Sequence, residues 1–197
     1  MDEITELMID QLKDAYSAER QALKIAPRMM RNATNPKLKQ GFQMHIEQTE
    51  GQVQRIEQAL EQLGGKPGRK VCEAMRGLIE EATHEMEEHE KGPMMDVVII
   101  AAAQRIEHYE IAAYGTMATL AKSAGHPELG ELLGLSLDEE KRMDEELTKI
   151  AESEVNPAFI QHVRGEEGEE EEGEEEEIEE KPPANQNRRG ASRKKAS

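Results

Sequence analysis

Four long stretches of this chain repeat apolar residues at steps of three and four, and carboxylates break into each stripe. They are Glu19 in the first, Glu47 and Glu50 in the second, Glu107 and Glu110 in the third, and Glu140 in the fourth, with Asp144 one turn beyond. Steps of three and four keep residues on one helix face, so the chain reads as amphipathic helices that carry acids into a shared interior. A buried carboxylate is costly alone, and two of them repel by about 4 kcal/mol at 4 Å for an effective dielectric near 20. Six or seven facing one space need a cation.

The first stripe covers residues 2 to about 31, with Pro27 expected to kink it or end it early. Asn35 is placed to cap a second helix from Pro36 to about Leu63, which Gly64-Gly65-Lys66-Pro67-Gly68 then stops. A shorter helix is expected from 70 to about 91, a third long one from about Met95 to Ser123, and a fourth from Pro127 to Ser153. Two short loops flanking a long connection with its own helix predict an all-α, ferritin-like four-helix bundle with one crossover. Helices of about 27 residues would be about 40 Å long, enough for a continuous core around a central site. Antiparallel pairing brings Glu19 level with Glu47 and Glu50, and Glu107 and Glu110 level with Glu140. In a chain with 42 acidic residues any single Glu-x-x-Glu is commonly a solvated pair. The coincidence of level in four helices is what marks a site.

Composition narrows the partners. Of the formal charge of -17, residues 165–197 hold -6, from twelve Glu against six Lys and Arg. The remaining acidic body disfavours nucleic acid, and 3% aromatics with no Trp leave no base-stacking platform. The basic cluster of Arg188, Arg189, Arg193, Lys194 and Lys195 keeps a weak claim on nucleic acid for the tail alone. The longest apolar run, Val97 to Ala103, is far short of a membrane span, and the N-terminus lacks a signal-peptide pattern, so a cytoplasmic protein is expected. The lone Cys72 reads as structurally incidental. Residues 1–160 are read as the bundle and 161–197 as a disordered tail, acidic then basic.

Oxygen donors in pairs suit iron, manganese or magnesium. His45 and His108 flank carboxylates but point away from Glu47 and Glu107 on a helical wheel, which favours roles outside direct ligation. Tyr16 and Tyr114, three and four residues from Glu19 and Glu110, are near enough to hydrogen-bond a carboxylate.

The runs Asp14 to Glu19, His45 to Val53, Cys72 to Met75 and Gln104 to Gly115 resemble the YciE/YciF group of ferritin-like proteins over roughly residues 2 to 153. The resemblance implies a rubrerythrin-like bundle with a non-haem dimetal site, usually taken as di-iron, and a link to bacterial stress responses. By that likeness Glu19 is a terminal ligand, Glu47 and Glu140 bridge, and Glu107 and Glu110 complete the pair. Rubrerythrin-like sites carry Glu-x-x-His in the second and fourth helices; this chain has Glu50 and Met143 there, with Asp144 as the substitute. The expected cofactor is therefore two metal ions, iron first and manganese as the alternative, reacting with oxygen or peroxide. Iron storage without a committed substrate, or a helical binding module with a structural metal, are the rival readings. A homodimer is expected from the resemblance.

Overall fold

The structure, a computed structural model, describes residues 2–165. The acidic and basic tail beyond 165, expected to be disordered, lies outside the described residues. Helix α1 spans Glu3–Asn32, with Asp2 accepting a hydrogen bond from the Thr5 amide at 2.9 Å. Helix α2 spans Pro36–Gln62, and Asn35 caps it by accepting from the amides of Lys37 and Leu38 at 2.9 and 3.1 Å. The crossover holds α3, Glu73–Glu87, shorter at both ends than the sequence suggests. Helices α4, Pro93–Ser123, and α5, Pro127–Ile150, complete the bundle. A π-helical turn, Ala151–Val155, follows α5, and residues 156–165 are helical.

Of the two outcomes expected at Pro27, an early end is excluded: helix α1 runs on to Asn32, because the one backbone bond lost there is outweighed by burial of Met29 and by the anchoring of the chain just beyond. One expectation changes outright. Cys72 is not incidental: its sulfur accepts from the Met75 amide at 3.5 Å, capping α3, and lies 2.9 Å from the Tyr109 hydroxyl. Glycines at φ 74° and 85°, Gly64 and Gly125, end α2 and α4. The following amides, of Gly65 and His126, bond back to Leu60 O and Ala121 O at 2.8 and 2.9 Å.

Helix α1 packs on α2 and α4 on α5, while α3 lies against α1 and α4. The apolar interior falls into two clusters. One joins the end of α1 to the start of α2 and α4 and the end of α5, through Met29, Leu38, Phe42, Met95, Ile99 and Leu147. The other joins the start of α1 to the ends of α2 and α4 and the start of α5, through Met8, Leu12, Leu60, Met117, Leu129 and Leu133. This pairing of ends makes α1 antiparallel to α2 and to α4, and α4 antiparallel to α5, which is the ferritin-like four-helix arrangement. Between the clusters, all four helices contribute buried polar residues: Glu19, His45, Thr49, Gln52, Glu107, Glu110 and Glu140. Among the described residues no helix is long and apolar enough to cross a membrane.

The α1–α2 turn is pinned by one buried carboxylate. Asp96, 3% exposed, accepts from the Thr34 amide at 2.6 Å, the Thr34 hydroxyl at 2.5 Å and the Asn35 amide at 2.9 Å. This fixes the start of α4 against the cap of α2. Asp96→Ala leaves those donors without an acceptor and is expected to lower stability by about 2–4 kcal/mol in urea unfolding; a loss below about 0.5 kcal/mol would show that the turn holds itself.

Candidate metal centre

The inward face of α2 follows Leu38, Phe42, His45, Thr49, Gln52 and Ile56, steps of three and four that carry straight through three polar residues. His45 Nε2 lies 3.3 Å from Glu107 Oε1 and 3.7 Å from Glu140 Oε2. One donor atom each from His45, Glu107, Glu110 and Glu140 falls within 4.8 Å of all the others. Glu19, 1% exposed, is held by the buried Tyr114, whose hydroxyl donates to Oε1 at 2.6 Å. The Gln52 amide nitrogen donates to Glu140 Oε1 and, at 3.1 Å, to Glu139 Oε2. Arg55 completes this side, pairing with Glu139 through Nη2 and donating from Nε to Ser136 Oγ at 2.9 Å.

Burial pushes the carboxyls of Glu19, Glu107 and Glu110 well above their usual range. The charge of Glu140 adds to this for Glu19 and Glu107, and that of Glu19 for Glu110. The Tyr114 bond and the Arg55 charge act the other way on Glu19 without cancelling the rise. Burial and Glu19 together push the Tyr114 hydroxyl up as well. Glu19 Oε2, Glu107 Oε2, both oxygens of Glu110, Glu140 Oε2, His45 Nδ1 and Gln52 Oε1 are buried without a hydrogen-bond partner. Orphaned buried acceptors are rare and call for explanation. Carboxylate oxygens and one imidazole, converging from three helices with a fourth beside them, fit a divalent cation as ligand set and as charge compensation.

Of the residues singled out from sequence, the structure brings Glu107, Glu110 and Glu140 together and places Glu19 in the same buried layer. Glu47 and Glu50 are not there: both are exposed. They lie two residues from His45 and Gln52, about 200° round the helix, so once those two face inward the glutamates face solvent. Glu47 instead accepts from Gln43 Nε2 at 3.4 Å on the outer face. Asp144 is half-buried on the α4–α5 seam, accepting from Gln104 Nε2 at 3.0 Å and lying 3.4 Å from His108 Nδ1. Met143 takes the inward position between Glu140 and Leu147. The residues missed, His45 and Gln52, had a signal: they continue the core register of Leu38 and Phe42 into Ile56.

Comparison with known proteins agrees with this architecture. The family model described as a domain of unknown function, DUF892, matches residues 3–159. Protein YciF of Escherichia coli strain K12 is 45% identical over 157 residues, 79% of this chain and 95% of that protein. The crystal structure described as that of the E. coli stress protein YciF matches with a TM-score of 0.75 at 45% identity, covering 79% of this chain and 99% of that one. YcfI of Rhodopseudomonas palustris matches with a TM-score of 0.72 at 38% identity, covering 75% and 94%. A ferritin-like, diiron-carboxylate protein from Bacillus anthracis strain Ames matches with a TM-score of 0.60 at 18% identity, covering 76% and 99%, a likeness of fold alone.

The raised carboxyls fix the sign of a pH effect. Their neutral forms are favoured in the fold, so their contribution is complete below the ordinary value of 4.5 and is lost as pH rises through the raised folded values. Metal-free protein is therefore expected to lose thermal stability from pH 5 towards neutrality, and a divalent cation to restore it, in calorimetry with chelator and with added manganese. A midpoint indifferent to both pH and metal would contradict the charged layer.

Proposed function

This chain belongs to the DUF892 family, and on that premise we propose that it is a dimetal protein of the bacterial stress response, holding two iron ions that react with oxygen or peroxide. The observation that carries the reading is the set of unpartnered buried donors in one layer of the bundle. Four ionised carboxylates, Glu19, Glu107, Glu110 and Glu140, are neutralised by two divalent cations, with His45 neutral as a nitrogen donor. That charge balance supports a pair over a single ion. The link to stress comes from the E. coli relative described as a stress protein.

When bound, a pair of ferrous ions would supply two electrons to a small oxidant. The chain's own part is to hold and shield. Tyr114 fixes Glu19 by one oxygen and leaves the other free. Gln52 does the same for Glu140, and Arg55 with Glu139 braces Gln52 from outside. The apolar clusters above and below keep bulk water out, which strengthens every electrostatic contact in the layer.

Anaerobic titration of metal-free protein with ferrous ion tests the assignment. Two ions per chain are expected, with Glu107→Ala and Glu140→Ala each weakening binding by more than about tenfold and Tyr114→Phe by about tenfold. Glu47→Ala and Glu50→Ala should bind as the unaltered protein does. Equal binding by all of these variants would refute the ligand set, and no oxygen or peroxide consumption by the loaded protein would refute the reaction.

A further inference from the structure

Tyr109 directly precedes Glu110 in α4, yet about 100° round the helix its side chain leaves the carboxylate layer for α1 and the crossover. There its hydroxyl donates to Asp14 Oδ2 at 2.8 Å and lies 2.9 Å from Cys72 Sγ. The one phenolic proton is committed to the carboxylate, so the sulfur contact is an S–H donated into the phenol oxygen. Polar bonds to α1 fix the thiol in place: the Cys72 amide donates to Ser17 Oγ at 2.9 Å, and Gln21 Nε2 to the Cys72 carbonyl at 3.1 Å. The phenol thus stands between a half-buried base and a buried thiol.

Burial pushes the Cys72 thiol up, which unfits it for nucleophilic attack and for thiolate ligation. A neutral thiol remains a hydrogen-atom donor. A charge on its sulfur is felt by Glu110, so the cluster lies close against the layer. Other side chains able to give up one electron are few, because the chain has three Tyr, one Cys and no Trp. Tyr16 packs on the apolar cluster of Met8 and Leu12, and Tyr114 is bound to Glu19 inside the layer. Tyr109 joins a carboxylate outside the layer to a thiol.

We propose that Tyr109, Asp14 and Cys72 form a one-electron donor to the metal centre, used when hydrogen peroxide meets a centre holding a single ferrous ion; the inference rests on the metal-binding reading above. Reducing peroxide to two waters takes two electrons and two protons, and one ferrous ion supplies one electron. With no second donor, the O–O bond breaks to hydroxide and a hydroxyl radical inside the bundle. The second electron comes from the Tyr109 ring, whose phenolic proton passes to Asp14 Oδ2 and on to solvent. The phenoxyl oxygen then takes the hydrogen atom of the Cys72 thiol, which restores Tyr109 and leaves a thiyl radical. In sum, one peroxide, one ferrous ion, one thiol and one proton give one ferric ion, one thiyl radical and two waters. A small soluble reductant of the ascorbate kind, giving one electron and one proton, returns the thiyl to thiol.

Flash photolysis with a ruthenium photo-oxidant delivers the oxidising equivalent to the full chain without metal. In Cys72→Ser, whose hydroxyl can still cap α3, a phenoxyl radical is expected to accumulate in freeze-quench EPR. Adding Tyr109→Phe to that variant removes the signal, whereas adding Tyr16→Phe leaves it. In the unaltered protein the signal is at least about tenfold shorter-lived, and the single thiol is lost instead, as read by titration of the unfolded chain. Asp14→Asn slows that thiol loss at least about tenfold, since a positioned base is gone, and Tyr109→Phe slows it at least as much. Loaded with one ferrous ion per chain, at unaltered uptake, Tyr109→Phe should release at least about threefold more hydroxyl radical to a spin trap on addition of peroxide. The same phenoxyl yield without Tyr109, thiol loss as fast in Tyr109→Phe, or equal release of hydroxyl radical would each overturn the donor. Failure of the metal reading shows separately, as no ferrous uptake by the unaltered protein, and removes the acceptor whatever the flash experiment gives.

Discussion

Four carboxylates, Glu19, Glu107, Glu110 and Glu140, meet an imidazole in a layer of the bundle from which water is excluded, and their mutual repulsion sets the terms for the rest of the fold. Packing alone would favour one continuous apolar core along helices of this length. The chain instead builds two cores, one to each side of the layer, and accepts in the middle groups whose charged forms burial disfavours. Such an arrangement costs stability in its charged state and so marks the layer as the candidate site.

What restrains the layer is a set of fixed hydrogen bonds. Tyr114 reaches from α4 to Glu19 on α1, and Gln52 reaches from α2 to Glu140 on α5, so each of the two seams between the helix pairs is tied by a neutral donor on a carboxylate. Donors of this kind orient an acid without neutralising it. They leave its remaining oxygen free, which is the behaviour wanted of groups that surround metal ligands. Arg55, whose charge acts on Glu19, is occupied with Glu139 and stays at the rim of the layer.

The architecture was legible because it depends on periodicity and punctuation: Asn35-Pro36, Gly64-Gly65 and Gly125-His126-Pro127 mark helix ends for local steric reasons. Three of the four helices also declared their buried acids, since Glu19, Glu107, Glu110 and Glu140 fall among apolar neighbours. Helix α2 did not, and the reason is physical. Its inner face is polar over three successive steps, His45, Thr49 and Gln52, while Ile46 beside it is only half-buried, so hydrophobicity misplaces the face by about half a turn. The acids on the wrong side, Glu47 and Glu50, then look like ligands. Only continuity from Phe42 to Ile56 corrects the phase. Pro27 left an early end open for a related reason: the local loss of one bond is readable from sequence, but the grip of Asp96 on the following turn, made across more than sixty residues, is not.

Among the described residues, the crossover helix α3 packs against α1 and α4 and so shelters that flank of the bundle. A small cavity is walled by α1, α2 and α4, while Gln52, Arg55 and Glu139 sit along the α2–α5 seam, with a groove lined by Met44, Gln48 and Arg142 farther on. On the opposite flank the outermost groups tied to the carboxylate layer are side chains, the Arg55–Glu139 pair holding Gln52 and Gln52 holding Glu140, so the layer is closed there by hydrogen bonds where α3 closes the other side with a helix.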